Sequence, residues 1–406
     1  MSQLQSKNYL TNLTPLRGIA AMLTVLYHVG ICIGPIVNIF RLNVTPGPLV
    51  DNSMWLNRMY LMVDFFFILS GFIMSHVYGD LFVNSATQSG FKKFAFARFA
   101  RVYPLHLSML IYTIVLFTVS ARLNIPTMPI MQIDNNSYSI FTNLLLLHSM
   151  NFHDWFTWVH SSWSISTEWW VYMIFPFLVK PFFRLNTTGK IVAALSCLLG
   201  YVVIMLFIVP IAPIPREFAF LKSHASGNSL NVSYQFGFLR CLFGFGLGMV
   251  TYQLYRARWN RSVLGNGYVM AAATIFLFIS MHFALPDALS ACFFPFIILS
   301  GAFGSNRINK VFSTKPLQKL GDWSFSIYLI HQPLLFTIGN VCAYYNLKMD
   351  LAGGSPGFLM FVGWVVCILF VAILLPLSYL TYEFLEVPAR NWLNSKGRAR
   401  LRWAKA

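Results

Sequence analysis

The stretch Leu13–Pro35, LTPLRGIAAMLTVLYHVGICIGP, decides how the chain is read. It is long and apolar enough to cross a bilayer, which takes about 20 residues, yet it carries Arg17 and His28. On an α-helix these two positions fall on nearly one face, about 16 Å apart along the axis. A titratable side chain is costly at the bilayer centre, so an intramembrane histidine marks either a functional site or a hydrogen bond to a neighbouring helix.

Composition extends this reading to the whole chain. Apolar residues make up 57% of it, charged residues 10%, and the mean hydropathy is +0.62; soluble domains carry about 25% charged residues. The fold class is therefore all-α, a polytopic integral membrane protein. Only Lys7 precedes the first apolar run and no small-residue cleavage pattern follows it, so an uncleaved first span is expected rather than a signal peptide. The six cysteines stand singly inside apolar runs, with neither paired metal spacing nor a disulfide framework.

Apolar runs predict ten spans, at 16–35, 59–78, 104–121, 168–184, 190–210, 236–254, 266–283, 287–303, 323–343 and 357–381. The apolar piece at 140–148 is too short to cross and reads as re-entrant or interfacial. Lysine and arginine concentrate in cytoplasmic loops. With both termini cytoplasmic, most of the 29 lysines and arginines fall inside, and Arg41, Arg58, Arg122, Arg216, Lys222 and Lys348 fall outside. An eleventh crossing at 140–148 would destroy that asymmetry. The net charge of +17 is thus mostly orientation signal, and the short, scattered basic runs exclude nucleic-acid binding. One membrane domain, 1–388, with a basic cytoplasmic tail, 389–406, is expected.

Further polar groups mark the spans. Met59–Tyr78, MYLMVDFFFILSGFIMSHVY, carries Asp64, either an acidic partner that fixes the His28 tautomer or a helix cap. Lys92–Leu105, KKFAFARFARVYPL, places Arg98 and Arg101 on one helix face, as a clamp for an anionic cytoplasmic ligand or as ordinary positive-inside anchors, with Pro104 in the first turn of the next span. In Ser161–Pro176, SSWSISTEWWVYMIFP, Glu168 opens a helix with Ser164 or Thr167 as its cap, or stands where an outside substrate enters. His148, His153 and His160 precede it without metal-ligand spacing, so no metal is expected. Arg240, in GFLRCLFGFGLG, needs a buried partner, for which Glu168 and Asp64 are the candidates, and the glycines beside it permit close helix packing. His331 follows Ser324, Ser326 and Tyr328 in GDWSFSIYLIHQP, groups suited to hydrogen bonds between helices. Glu383 and Glu386, in SYLTYEFLEVPARNW, read as an end cap and an anchor.

These patches in this order resemble acyltransferase family 3, the integral-membrane enzymes that O-acylate exported carbohydrates. The matching stretches are LRGIAAMLTVLYH, DFFFILSGF, FARFARVYPL, WSISTEWWVYMIFP, LRCLFGFGLG, WSFSIYLIHQP and the segment from Tyr382 to Pro388. The resemblance implies that Arg17, His28, Arg98, Arg101 and Glu168 occupy positions associated with function. It also implies an acyl-CoA donor, usually acetyl-CoA, on the cytoplasmic side of a bacterial inner membrane, and a polysaccharide, lipid-linked glycan or small metabolite as acceptor. Some relatives carry an extra extracytoplasmic hydrolase-like domain; this chain stops after its tenth span, so a second transfer step is expected to need another protein.

The function expected is acyl transfer to a carbohydrate hydroxyl. His28 acts as general base or as a covalent acyl relay, Arg17, Arg98 and Arg101 hold the coenzyme, and Glu168 orients the acceptor. The rival is a transporter or flippase in which Arg17, His28, Asp64, Arg240 and His331 form a substrate or proton pathway. Repeated halves and broken helices, common in transporters, are not evident.

Overall fold

The computed structural model describes residues 10–39, 55–125, 133–212, 228–304, 307–346 and 355–403. Arg41, Arg216, Lys222 and Lys348, expected outside, lie beyond the described residues. Helices are α1 (Leu13–Ile39), α2 (Met62–Phe82, entered through a 3-10 turn at Leu56–Leu61), α3 (Gln88–Arg122), α4 (Ser137–Leu144), α5 (Trp163–Phe183), α6 (Thr187–Val203) and α7 (Gly237–Arg256). They continue with α8 (Gly267–His282), α9 (Phe293–Phe303), α10 (Lys315–Asp322), α11 (Ser324–Tyr344), α12 (Pro356–Thr381) and α13 (Val387–Trp403). No named strand occurs among the described residues.

Each expected span falls on helix. Among the described residues, five helical stretches are long and apolar enough to cross a membrane: Leu56–Phe82, Gln88–Arg122, Thr187–Ile208, Ser324–Tyr344 and Met360–Lys396. Gly267–His282 and Asp287–Phe303 are apolar but shorter, and α1, α5 and α7 are not among the five. Length and composition among the described residues thus do not confirm ten crossings. The expected re-entrant segment contains the end of α4, an eight-residue helix of about 12 Å that buries Ser139, Thr142 and Asn143 and exposes Tyr138 and Phe141. Asn136 and Ser139 close a capping box at its start. Such a helix is amphipathic and too short to cross, and no re-entry follows from it.

Two boundaries differ from expectation for local reasons. The α3 helix begins at Gln88, where the Thr87 side chain accepts from the Gly90 amide at 3.2 Å, so the basic KKFAFARFAR stretch is helical and Pro104 lies in the interior of a 35-residue helix. The α5 helix starts at Trp163, which puts Glu168 in its second turn, and Ser164 is not a cap. Its hydroxyls bond inward instead: Thr167 Oγ1 donates to the Ser164 carbonyl at 2.9 Å.

The α2 helix is the centre of the bundle, packed against α1, α3, α5, α7 and α9. Its crossing with α7 is backbone to backbone. A Cβ on Gly248 would overlap the Ile68 carbonyl, and one on Gly71 the Phe245 carbonyl, so only glycine permits this approach. Outward faces are apolar, as at Leu195 and Leu199 of α6 and Ile111 and Val115 of α3, which suits lipid as the solvent.

Arg58, expected in an outside loop, is buried. It donates to Asp287 Oδ1 at 2.8 Å, while Tyr60 and the Leu230 amide donate to Asp287 Oδ2 at 2.6 and 2.7 Å. This pair ties the 3-10 turn before α2 to the segment leading into α9.

Candidate active site

A cavity of about 380 Å³ opens among α1, α2, α3, α5 and α11. Its wall brings together Arg17, Arg98, Arg101, Ser164 and Glu168, five of the nine residues singled out in the sequence, with Ser70, Tyr172 and Tyr328 added. Three cations and one carboxylate around a largely apolar hollow make a place for an anionic ligand with a hydrogen-bonding body.

The three arginines are held differently. Arg17 has no hydrogen bond or ion pair among the described residues. Arg98 Nη2 donates to the Tyr78 hydroxyl at 3.1 Å, and its guanidinium lies 5.2 Å from the Tyr78 ring centroid. Arg101 pairs with Glu386 and sits over the Phe325 ring at 5.4 Å. Glu386 is 2% exposed, and its Oε2 accepts from Ser326 Oγ at 2.9 Å. It is therefore not a surface anchor. The π-helical turn Tyr382–Glu386 between α12 and α13 carries this carboxylate, and α13 packs on α3.

Glu168 accepts from two hydroxyls. Tyr172, one turn on, donates to its Oε1 at 2.5 Å, and Ser70 of α2 donates to the same oxygen. Ser164 Oγ and Tyr328 Oη are 2.7 Å apart, which joins α5 to α11 across the cavity wall.

His28 is not in that wall. Its Nδ1 stands 2.9 Å from the Thr24 carbonyl and 3.2 Å from His331 Nε2, with the two imidazole centroids 4.8 Å apart. A carbonyl only accepts, so the proton belongs on Nδ1 and the lone pair of the neutral ring on Nε2. Tyr328 links this pair to the cavity, its ring 5.8 Å from that of His331.

Asp64 is not the acidic partner of His28. Both its oxygens are taken by Arg240, Nε at 3.0 and 3.2 Å and Nη2 at 2.6 Å, in a pair that is 0% exposed at either end. Arg240 also donates to the Val232 and Tyr60 carbonyls at 3.1 Å each, and lies over the rings of Tyr60 and Trp163. Of its two candidate partners it therefore takes Asp64 and leaves Glu168 to the cavity.

His106, His148, His153 and His160 bond to or stack on their neighbours. His106 and His148 stack at 5.5 Å, and His160 stacks on Phe156 at 5.3 Å. His153 Nε2 is 2.7 Å from Thr142 Oγ1, and burial pushes its imidazole below the usual range. No group of three or more His, Cys, Asp or Glu placed to hold a metal stands among the described residues.

Sequence reading missed Ser70 and Tyr172, and took Glu386 for an end cap or anchor. Tyr172 was within reach, since it lies four residues after Glu168 on one helix face. Ser70 comes from a distant segment that no local pattern marks, and the partners of Glu386, Arg101 and Ser326, are likewise distant in sequence.

Comparison with known proteins gives this geometry its family. No solved structure matches the chain. A curated protein of Rhizobium radiobacter, "Protein 2 in picA locus", is 43% identical over 68 residues, 17% of this chain and 35% of the relative, so the chain spans little more than a third of that protein's length. A family described as an acyltransferase domain matches residues 11–382, nearly the whole chain and every residue of the cavity wall but Leu10. The chain thus belongs to acyltransferase family 3.

Proposed function

We propose that this protein is a multi-pass membrane acyltransferase that moves a short acyl group, acetyl above all, from acyl-CoA to a hydroxyl of a carbohydrate or lipid-linked glycan. Ten spans in the inner membrane with both termini cytoplasmic would put Arg17, Arg98 and Arg101 at the inner mouth, within reach of the coenzyme. The observation that carries this reading is the convergence of those cations with Glu168 on one cavity. Arginine forks match phosphate, and a largely apolar hollow suits the pantetheine arm.

In the reaction, Nε2 of His28 takes the proton of the acceptor hydroxyl, whose oxygen attacks the thioester carbonyl. The coenzyme leaves as thiolate and takes that proton from His28. The thioester is already activated, so a base and positioning are the main requirements. The Thr24 carbonyl supports this role by holding the Nδ1 proton away from the reacting side. Substrate reaches His28 past Tyr328, since His28 lies beyond the cavity wall. Nothing in the geometry favours a flippase, and the family does not suggest one.

The test is acetyl transfer from labelled acetyl-CoA in vesicles carrying His28→Ala or His28→Gln. General-base removal is expected to cost about 10²–10⁴-fold in rate. Full activity in a correctly inserted variant would remove His28 from the reaction. Acyl label found on His28 in a rapid quench would replace the general base by a covalent relay.

A further inference from the structure

The buried carboxylates differ in how their two oxygens are used. Asp64 gives both to Arg240. Asp287 accepts from Arg58 on Oδ1 and from Tyr60 and the Leu230 amide on Oδ2. Glu386 accepts from Arg101 on Oε1 and from Ser326 on Oε2. Each is saturated on both sides, as a carboxylate with a structural task should be.

Glu168 is arranged otherwise. Ser70 and Tyr172 both donate to Oε1, and the hydroxyls of those two residues are 3.4 Å apart. Oε2 has no partner among the described residues, in a side chain that lines the cavity. Two donors on one oxygen fix the plane of the carboxylate, and the other oxygen is left to receive a donor from whatever enters.

We propose that Ser70 and Tyr172 are positioning residues that aim Glu168 Oε2 at a hydroxyl of the carbohydrate acceptor, next to the hydroxyl that reacts. A sugar presents vicinal hydroxyls, so one held by a fixed carboxylate sets the direction of its neighbour. The Gly71–Phe245 and Gly248–Ile68 contacts lock the rotation of α2 and so aim Ser70 at α5. This assignment rests on the acyltransferase reading. The pantetheine arm also offers donors, its amide N–H groups, and the experiment separates the two.

Wild type, Ser70→Ala, Ser70→Thr and Tyr172→Phe, in membranes, are given labelled acetyl-CoA and a glycan extract of the expressing cells. Coenzyme release is followed with and without extract. Losing a hydrogen bond to a charged group should lower extract-dependent transfer about tenfold or more in Ser70→Ala and Tyr172→Phe. The KM for acetyl-CoA should stay within about twofold, and Ser70→Thr should recover most of the transfer. A merely structural role would instead lower thermal stability and not separate the two substrates.

The assignment is overturned if active wild type and both variants transfer equally. It is also overturned if the acetyl-CoA KM rises instead, which would hand Oε2 to the pantetheine arm, or if Ser70→Thr is as impaired as Ser70→Ala. Wild type that consumes no acetyl-CoA overturns the acyltransferase reading and this assignment with it.

Discussion

The Asp64–Arg240 pair gives the sharpest test of the division between structural and reacting groups. Arg240→Met removes a guanidinium that makes three contacts to Asp64 and one each to the Val232 and Tyr60 carbonyls, all buried. Breaking a buried pair from one side leaves an uncompensated charge and costs ~3–5 kcal/mol. At about 1.4 kcal/mol per tenfold change, the folded-to-unfolded ratio falls roughly 10²–10⁴-fold. Asp64→Leu should cost a similar amount, because Arg240 then stands unpaired. The double variant removes both charges. Its remaining deficit is the Val232 carbonyl, left without its guanidinium donor at ~1–3 kcal/mol; the Tyr60 carbonyl keeps the Met62 amide. It should therefore be less destabilised than the sum of the single variants, and the gap is their coupling energy. Thermal unfolding of detergent-solubilised protein, with the monodisperse fraction after chromatography, measures this directly. Additive losses would refute the pairing. Acetyl transfer on the same samples asks a second question: a folded double variant that has lost transfer would return Asp64 to the reacting groups.

Two further outcomes follow from contacts across the bundle. Glu386→Gln removes the charge facing Arg101 and should cost ~1.5–3 kcal/mol in thermal unfolding. CoA binding by calorimetry should be unchanged or tighter, since Arg101 is then uncompensated; binding weakened more than about twofold would mean that the pair itself shapes the coenzyme site. Gly248→Ala sets a methyl on the Ile68 carbonyl and should destabilise by ~1–3 kcal/mol or more, whereas an unchanged melting temperature would refute the backbone crossing of α2 and α7.

Periodicity carried the sequence reading a definite distance. It put Arg98 and Arg101 on one face and Arg17 inside a span, and these meet at one cavity with Glu168, which was read as opening a helix where an outside substrate enters. It also narrowed the partner of Arg240 to two carboxylates. Choosing between them needs the rotation of α2 against α7, which the glycine crossing sets and which no spacing within one helix contains. Glu386 was misread for a related reason. Beside a basic tail it looks solvated, and only the π turn after α12 swings it back to Arg101, 285 residues away in sequence. Spacing put His28 on the Arg17 face of α1, but it does not say that His28 packs on His331 outside the cavity wall.

The chemistry sits on helices of differing hydropathy. The helices that meet the length and apolarity of a span include α6 and α12, whose exposed faces are almost wholly apolar. They also include α2, α3 and α11, which bring Ser70, Arg98 and Arg101, and Tyr328 and His331, whereas α5 and α7, which bring Glu168, Tyr172 and Arg240, are not among them. A helix enclosed by other helices need not be apolar to lie within a bilayer, because its polar groups are paired inside the protein rather than with lipid. The lowered hydropathy of α5 and α7 is thus a consequence of their position. The site is therefore marked by polar residues within apolar helices and not by the hydropathy of the helix that carries them.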